Sequence, residues 1–317
     1  MVSRPLSAPN HATLALWAPG SLFKPLTVAL ALEGGYVTPD EVFDLSSPHV
    51  FHTPSVRKSR PVHDSHPIGA GAIDDILVHS SNIGVSLLLW RLIHGPGWAA
   101  SDAVPSYDRA LAFLRAVGLY GPTGLELADD VHRPFLSEDH PNVLYPAIGW
   151  AFGKGVGTSP LKTLCAFAAL ARDDGRVVRP TLLAGRGGGR RDLEPIVPTA
   201  AHRHVVREAL RGVVQRGTAR RAFEGCTLDV AAKTGTAVFE GTTKQIAGLI
   251  ALAPVERPRL AVLVMCNVDE TTRHPDHGPH QQPSGGVVAG PPARAILERT
   301  FAYLDGRALA EAREALR

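Results

Sequence analysis

Pro19-Gly20-Ser21-Leu22-Phe23-Lys24-Pro25 leads into an apolar run from Leu26 to Leu32, which ends at Gly34-Gly35. Pro-Gly is turn chemistry and a glycine pair closes helices, so this spacing predicts a helix from about Ser21 to Glu33. Pro25 falls early in it, where the hydrogen bond it removes belongs to the helix start. A serine in that first turn has its hydroxyl near unpaired backbone N–H groups and the positive end of the helix dipole. Lys24, three residues on, projects its amine from the same face. The pair is a candidate nucleophile with its own base, although a serine near a helix start is usually just a cap.

Two further stretches follow in order. Ile73, Ile76 and Leu77, with Asp74-Asp75 on the polar side, predict a short amphipathic helix within Gly69 to Val78. His79-Ser80-Ser81-Asn82-Ile83-Gly84 comes next, before the apolar Val85 to Ile93, so Ser80-x-Asn82 lies at a helix junction and also has a plain N-cap reading. Later, Leu228 to Phe239, Gln245 to Leu252 and Arg259 to Asn267 are strand-like, separated by Glu240-Gly241 and by Pro254 with Pro258. That is the pattern of an antiparallel meander. The first of these strands contains Ala231-Ala232-Lys233-Thr234-Gly235-Thr236-Ala237. Taken alone, a lysine there reads as a surface charge guarding an edge strand.

Between these stretches, helices are expected at Tyr107 to Val117, at Leu161 to Ala171 behind the Thr158-Ser159-Pro160 cap, and at His202 to Val214. Gly185 to Arg191 reads as a flexible connection, and a Pro/Gly/His loop over 269–292 precedes a closing helix, 293–304. The architecture is therefore α+β: an antiparallel sheet, mainly 226–268 with the closing helix, flanked by helices, and an all-helical subdomain inserted at about 70–175. All of it is assigned to a single domain, 1–317.

The totals agree with a folded globular protein. The 317 residues are 44% hydrophobic and 20% charged, which excludes disorder, and the formal charge of +3 is spread too thinly to argue for nucleic acid. Cys165, Cys226 and Cys266 lie far apart and read as buried small apolar side chains rather than a disulfide or zinc framework. There is no apolar stretch of membrane-spanning length and no signal peptide pattern. His274 to His280 reads as a surface loop rather than a metal tract, and no metal or cofactor is called for. His63-Asp64-Ser65-His66 superficially suggests a triad, but adjacent residues rarely converge and no Gly-x-Ser-x-Gly elbow exists.

Ser21-x-x-Lys24, Ser80-x-Asn82 and Lys233-Thr234-Gly235, in this order and these contexts, form the kind of motif set found in β-lactamases and penicillin-binding proteins. The chain resembles the penicillin-binding protein family, specifically the transpeptidase domain of the class B (monofunctional) type. The resemblance extends to Phe152-Gly153-Lys154-Gly155 before Thr158-Ser159-Pro160-Leu161, to Gly217-Thr218-Ala219, and to Ser284-Gly285-Gly286-Val287-Val288-Ala289, and so runs along nearly the whole chain.

By this resemblance Ser21 is the nucleophile, Lys24 its base, Ser80 a proton relay towards the leaving amine, and Asn82 a partner for a substrate amide. A serine hydroxyl needs such a base, and burial with a second cation, Lys233, would lower the pKa of Lys24. Lys233 with Thr234 or Thr236 would hold the terminal carboxylate of a D-Ala-D-Ala stem peptide. Gly235 would leave room for that peptide along the strand. The backbone N–H groups of Ser21 and Thr236 would form the oxyanion hole.

The resemblance implies peptidoglycan D,D-transpeptidation through an acyl-enzyme, with β-lactams as inhibitors. It also implies a membrane-embedded glycosyltransferase as a candidate partner and work at the extracytoplasmic face of the inner membrane, in the cell envelope. A hairpin, a pedestal and an anchor expected before Met1-Val2-Ser3-Arg4-Pro5 are not in this sequence, so the N-terminal edge of the sheet is expected to be truncated. A D,D-carboxypeptidase or β-lactamase on the same scaffold, or an inactive penicillin-recognising paralogue, are the alternatives. A class A β-lactamase would require a deacylating glutamate, for which only Glu126 and Glu138 offer themselves, neither in a recognisable motif.

Overall fold

In the computed structural model the described residues are 10–51, 61–99, 105–126, 132–136, 144–183, 194–238, 244–269 and 283–315. The Gly185 to Arg191 connection, the Glu240-Gly241 turn, Glu138 and the His274 to His280 tract lie outside them, as do residues 1–9, on which the expected truncation of the hairpin bears.

A four-residue helix, α1 (His11–Leu14), precedes the central one, α2 (Lys24–Glu33). The helix predicted from Ser21 begins instead as a 3₁₀ turn, Gly20–Phe23, in which the Lys24 N–H bonds back to the Ser21 carbonyl. Pro25 is the cause: it has no N–H to close the α-type ring on Ser21, so the preceding residue closes a tighter one. Helix α2 is buried on nearly every side, including Lys24. A helix apolar all round belongs in the middle of a fold, and this one packs against both α4 (Asn82–His94) and α8 (Ala200–Gln215).

Short elements link these helices. Strand β1 (Phe43–Asp44) pairs antiparallel with β2 (Ala70–Gly71), and α3 (Ile73–Val78) follows, burying Ile73, Ile76 and Leu77 as its spacing predicts. Beyond α4 come α5 (Tyr107–Ala116), α6 (Leu144–Trp150) and the pair β3 (Phe135–Leu136) with β4 (Val156–Gly157). Helix α7 (Pro160–Phe167) starts on a Ser159 cap that accepts a hydrogen bond from the Lys162 N–H, with Pro160 at the first position.

The meander forms in the order β5 (Ala231–Val238), β6 (Lys244–Ala253), β7 (Leu260–Asp269), with Lys233 opposite Ile250 and Gly235 opposite Gly248. Helix α8 lies against β5. The closing helix, α9 (Gly290–Ala315), lies against β6 and β7 and is longer than the apolar spacing indicated. One hydrophobic cluster joins α2, α4, α8 and the sheet. Each fully buried Leu or Phe within it, such as Leu22 or Phe23, contributes about 1.5–3 kcal/mol. Of the three cysteines only Cys165 is buried. Cys226, packed against the edge of this cluster, and Cys266, on β7, are part-exposed. Among the described residues no helix is long and apolar enough to cross a membrane.

Candidate active site

The three motifs meet at one hydroxyl. Ser80 lies between α3 and α4, Lys24 opens α2, and Lys233 is the third residue of β5. Lys24 Nζ donates to Ser80 Oγ at 3.1 Å, to Asn82 Oδ1 at 2.8 Å and, at closer range, to the Ser80 carbonyl. Lys233 Nζ donates to the same Ser80 Oγ at 2.9 Å and to the Thr234 carbonyl at 2.9 Å. Both lysines are fully buried, so the edge-guard reading of Lys233 does not hold. Its amine turns inward to meet a polar group, which a buried ammonium requires.

This burial sets the proton chemistry. Desolvation holds the Lys24 amine well below the usual lysine range, the charge of Lys233 lowers it further, and Asp64 opposes both. Lys233 is pushed down to about 7 by desolvation. Two buried amines on one hydroxyl disfavour double protonation, so one of them is readily a neutral base. A serine hydroxyl both donates and accepts, so Ser80 Oγ is able to carry a proton between the two amines.

Ser21, half-buried, sits in the 3₁₀ turn one residue beyond Gly20. Gly20 is in the left-handed region (φ 55°), and its N–H bonds to the Gly153 carbonyl at 3.2 Å. The approach is close enough that a Cβ on Gly153, itself at φ 69°, would fall 2.3 Å from the Gly20 oxygen. On the other side, a Cβ on Gly20 would meet the Thr236 oxygen at 3.3 Å, so the turn carrying Ser21 is wedged between the 152–155 turn and β5. Ser21 N–H and Thr236 N–H thus belong to two backbones in close contact.

The threonines of β5 are held from behind. Thr234 Oγ1 and Thr218 Oγ1 are 2.5 Å apart, and Thr236, exposed, accepts the Gly285 N–H at 3.2 Å. Gly235 has an internal reason that its motif did not reveal: a Cβ there would fall 2.8 Å from Leu22 Cγ. Its missing side chain lets the Leu22 side chain pack beneath the strand.

Sequence reasoning missed one member. Asp64, weighed only as part of an unconvincing triad, accepts hydrogen bonds from Ser81 Oγ at 2.6 Å, from Ile83 N at 3.1 Å and from Asn82 N. Beside it, the His63 carbonyl accepts from Asn82 Nδ2 at 2.9 Å, while Ser65 Oγ lies 3.2 Å from His66 Nδ1. No periodicity marks such a residue, because its partners lie 17 to 19 positions away. Glu126, considered as a deacylating base, accepts hydrogen bonds from Thr181 Oγ1 at 2.6 Å and Leu182 N at 2.9 Å.

The site is thus a buried lysine–serine–lysine chain with Ser21 on the turn that precedes Lys24, on a sheet flanked by helices. The model of the penicillin binding protein transpeptidase domain matches residues 1–298, and the chain belongs to that family. It is 29% identical over 301 residues to the probable peptidoglycan D,D-transpeptidase PenA of Neisseria meningitidis, covering 91% of this chain and 45% of that one. It is 26% identical over 297 residues to the peptidoglycan D,D-transpeptidase FtsI of Escherichia coli, covering 91% and 44%. The chain spans about half the length of these curated relatives. Its fold is similar to the transpeptidase domain of penicillin-binding protein 3 from Burkholderia pseudomallei, with a TM-score of 0.72 at 23% identity over 93% of this chain and 82% of that one.

Proposed function

We propose that this chain is the catalytic domain of a peptidoglycan D,D-transpeptidase acting through an acyl-enzyme on Ser21. The observation that carries the reading is the shared Ser80 hydroxyl, 3.1 Å from Lys24 Nζ and 2.9 Å from Lys233 Nζ, with both lysines buried. Neutral Lys24 takes the Ser21 proton as Oγ attacks the carbonyl of the penultimate D-Ala. The oxyanion is held by the Ser21 and Thr236 N–H groups, worth about 3 kcal/mol per donor. When the tetrahedral adduct collapses, the C–N bond breaks and Ser80 passes a proton to the departing D-Ala amine. An amine on a second stem peptide then attacks the ester, forms the cross-link and returns Ser21 to its hydroxyl form. Lys233, Thr234 and Thr236 hold the terminal carboxylate, Gly235 lies in the strand along which the stem peptide binds, and Asn82 meets its amide. A β-lactam acylates the same serine by ring opening.

The reading carries with it a single catalytic domain over 1–317, a site of action at the extracytoplasmic face of the inner membrane, and a membrane-embedded glycosyltransferase as partner. Both Glu126 oxygens are held by Thr181 and Leu182, which favours slow release of the penicilloyl ester over β-lactamase turnover. The test is labelling by a fluorescent penicillin. A long-lived adduct that Ser21→Ala abolishes is expected. Rapid hydrolysis would indicate a β-lactamase, and no label on folded protein would overturn the acyl-enzyme reading.

A further inference from the structure

Among the described residues Ser80 is the single non-glycine with a left-handed backbone, φ 57°. That conformation costs about 1 kcal/mol or more outside glycine and persists only where the surroundings enforce it. Ser80 stands just past the end of α3, where the Ser80 and Ser81 N–H groups return to the Leu77 and Ile76 carbonyls at 3.2 and 2.8 Å, the helix-end arrangement that takes a left-handed residue; one carboxylate then holds the residues that follow. Ser81, directly after Ser80, is fully buried and gives its hydroxyl to Asp64 Oδ2 at 2.6 Å, while Asp64 Oδ1 accepts from the Asn82 and Ile83 N–H groups. These donors are unpaired first-turn groups of α4, where the helix dipole also favours a negative charge. The neighbouring His63 carbonyl takes Asn82 Nδ2, which turns Asn82 Oδ1 towards Lys24. One short segment therefore holds Ser81, the Asn82 and Ile83 N–H groups and the amide orientation of Asn82.

We propose that Asp64 is a positioning residue for acylation, bracing Ser81 and the first turn of α4 and so aiming Asn82 at Lys24, with its carboxylate charge facing that lysine. The proposal rests on the acyl-enzyme reading above and extends it to a residue outside the three motifs. The charge follows from position. Lys24 faces Lys233 from β5 and Asp64 from the 61–66 segment, and Asp64 favours its ammonium form where Lys233 disfavours it. Titratable groups on the surrounding elements include His63 and His66 on the same segment, Asp74, Asp75 and His79 on α3 and at its end, Arg91 and His94 in the last turn of α4, and exposed Lys154 on the turn beside Gly20.

Two variants separate brace from charge. Asp64→Asn keeps an acceptor oxygen for Asn82 and Ile83, and its amide is able to donate to Ser81 Oγ, so the geometry survives while the charge is lost. Asp64→Ala removes both. Acylation by fluorescent penicillin is followed against pH, with thermal melting alongside. Because neutral Lys24 is the base, the rate rises through its pKa, and loss of the Asp64 charge moves that acid limb to lower pH. Asp64→Asn should show that shift with its plateau rate within a few-fold of wild type. Asp64→Ala should melt cooperatively yet acylate roughly 30-fold slower. A wild-type rate in Asp64→Ala, or an unmoved acid limb in Asp64→Asn, overturns the proposal. If Asp64→Ala fails to fold, the Asp64→Asn profile alone decides. Failure of the wild-type chain to take up the label would instead count against the acyl-enzyme reading itself.

Discussion

Lys24 and Lys233 enter the site from opposite ends of the chain and converge on a single oxygen, Ser80 Oγ, at 3.1 and 2.9 Å. Each amine has lost its water, and the hydroxyl between them both separates like charges and links them as a proton path. Ser80→Ala deletes that link while removing one oxygen atom. Acylation should fall by about 10² or more, the scale of a lost proton-transfer group. The fold should remain, as measured by penicillin acylation rate and circular dichroism.

Lys233 makes folding depend on pH. Unfolded, its amine holds a proton up to about pH 10.4; folded, it releases it above about 7. Between these values the unfolded state carries the extra proton, so raising the pH favours the fold, by up to about 1.4 kcal/mol per unit. Below pH 7 the destabilising contribution is constant. Lys233→Met, of similar length and uncharged, should be more stable at neutral pH, and its stability should rise less steeply from pH 7 to 9. Urea unfolding at several pH values measures both, and parallel slopes in the two proteins would contradict this account.

Gly153 is confined by its neighbour. An added Cβ would meet the Gly20 oxygen at 2.3 Å and would stand on a left-handed backbone. Gly153→Ala should displace the turn that carries Ser21, lowering stability by about 1–3 kcal/mol and slowing acylation more than tenfold. Melting and labelling report the two effects separately.

Thr218→Val leaves the Thr234 hydroxyl without the partner it holds at 2.5 Å, in a strand where Thr234 is buried. The cost should be about 1–3 kcal/mol. Because Thr234 is proposed to face the substrate carboxylate, the loss should appear first as weaker penicillin binding before acylation, measured by the concentration dependence of labelling.

Much of the fold is legible in the amino-acid sequence. The period of Ile73, Ile76 and Leu77, the Thr158-Ser159-Pro160 cap and the alternation around Lys233 each depend on residues within a few positions of one another, and the elements form where these signals lie. The start of α2 differs from its pattern because the effect of Pro25 reaches back to Lys24, which closes a 3₁₀ ring on Ser21 in its place. Helix α9 runs on to Ala315, beyond the Leu304 at which the spacing of Ile296, Leu297 and Phe301 places its end.

The site divides along the same line. Ser21, Lys24, Ser80, Asn82 and Lys233 are marked by residue type, order and spacing, which local chemistry and motif recognition read directly. Asp64 is not, since a carboxylate that braces a helix 17 to 19 positions away leaves no local signal. Sequence alone determined which groups are present and that helices and an antiparallel meander carry them. Tertiary structure decided that both lysines are dry, that one hydroxyl joins them, and that Gly235 is empty to admit Leu22. The reason is that turns and periodicity are short-range, whereas desolvation and the partners of a buried charge are set by parts of the chain that meet only when it folds.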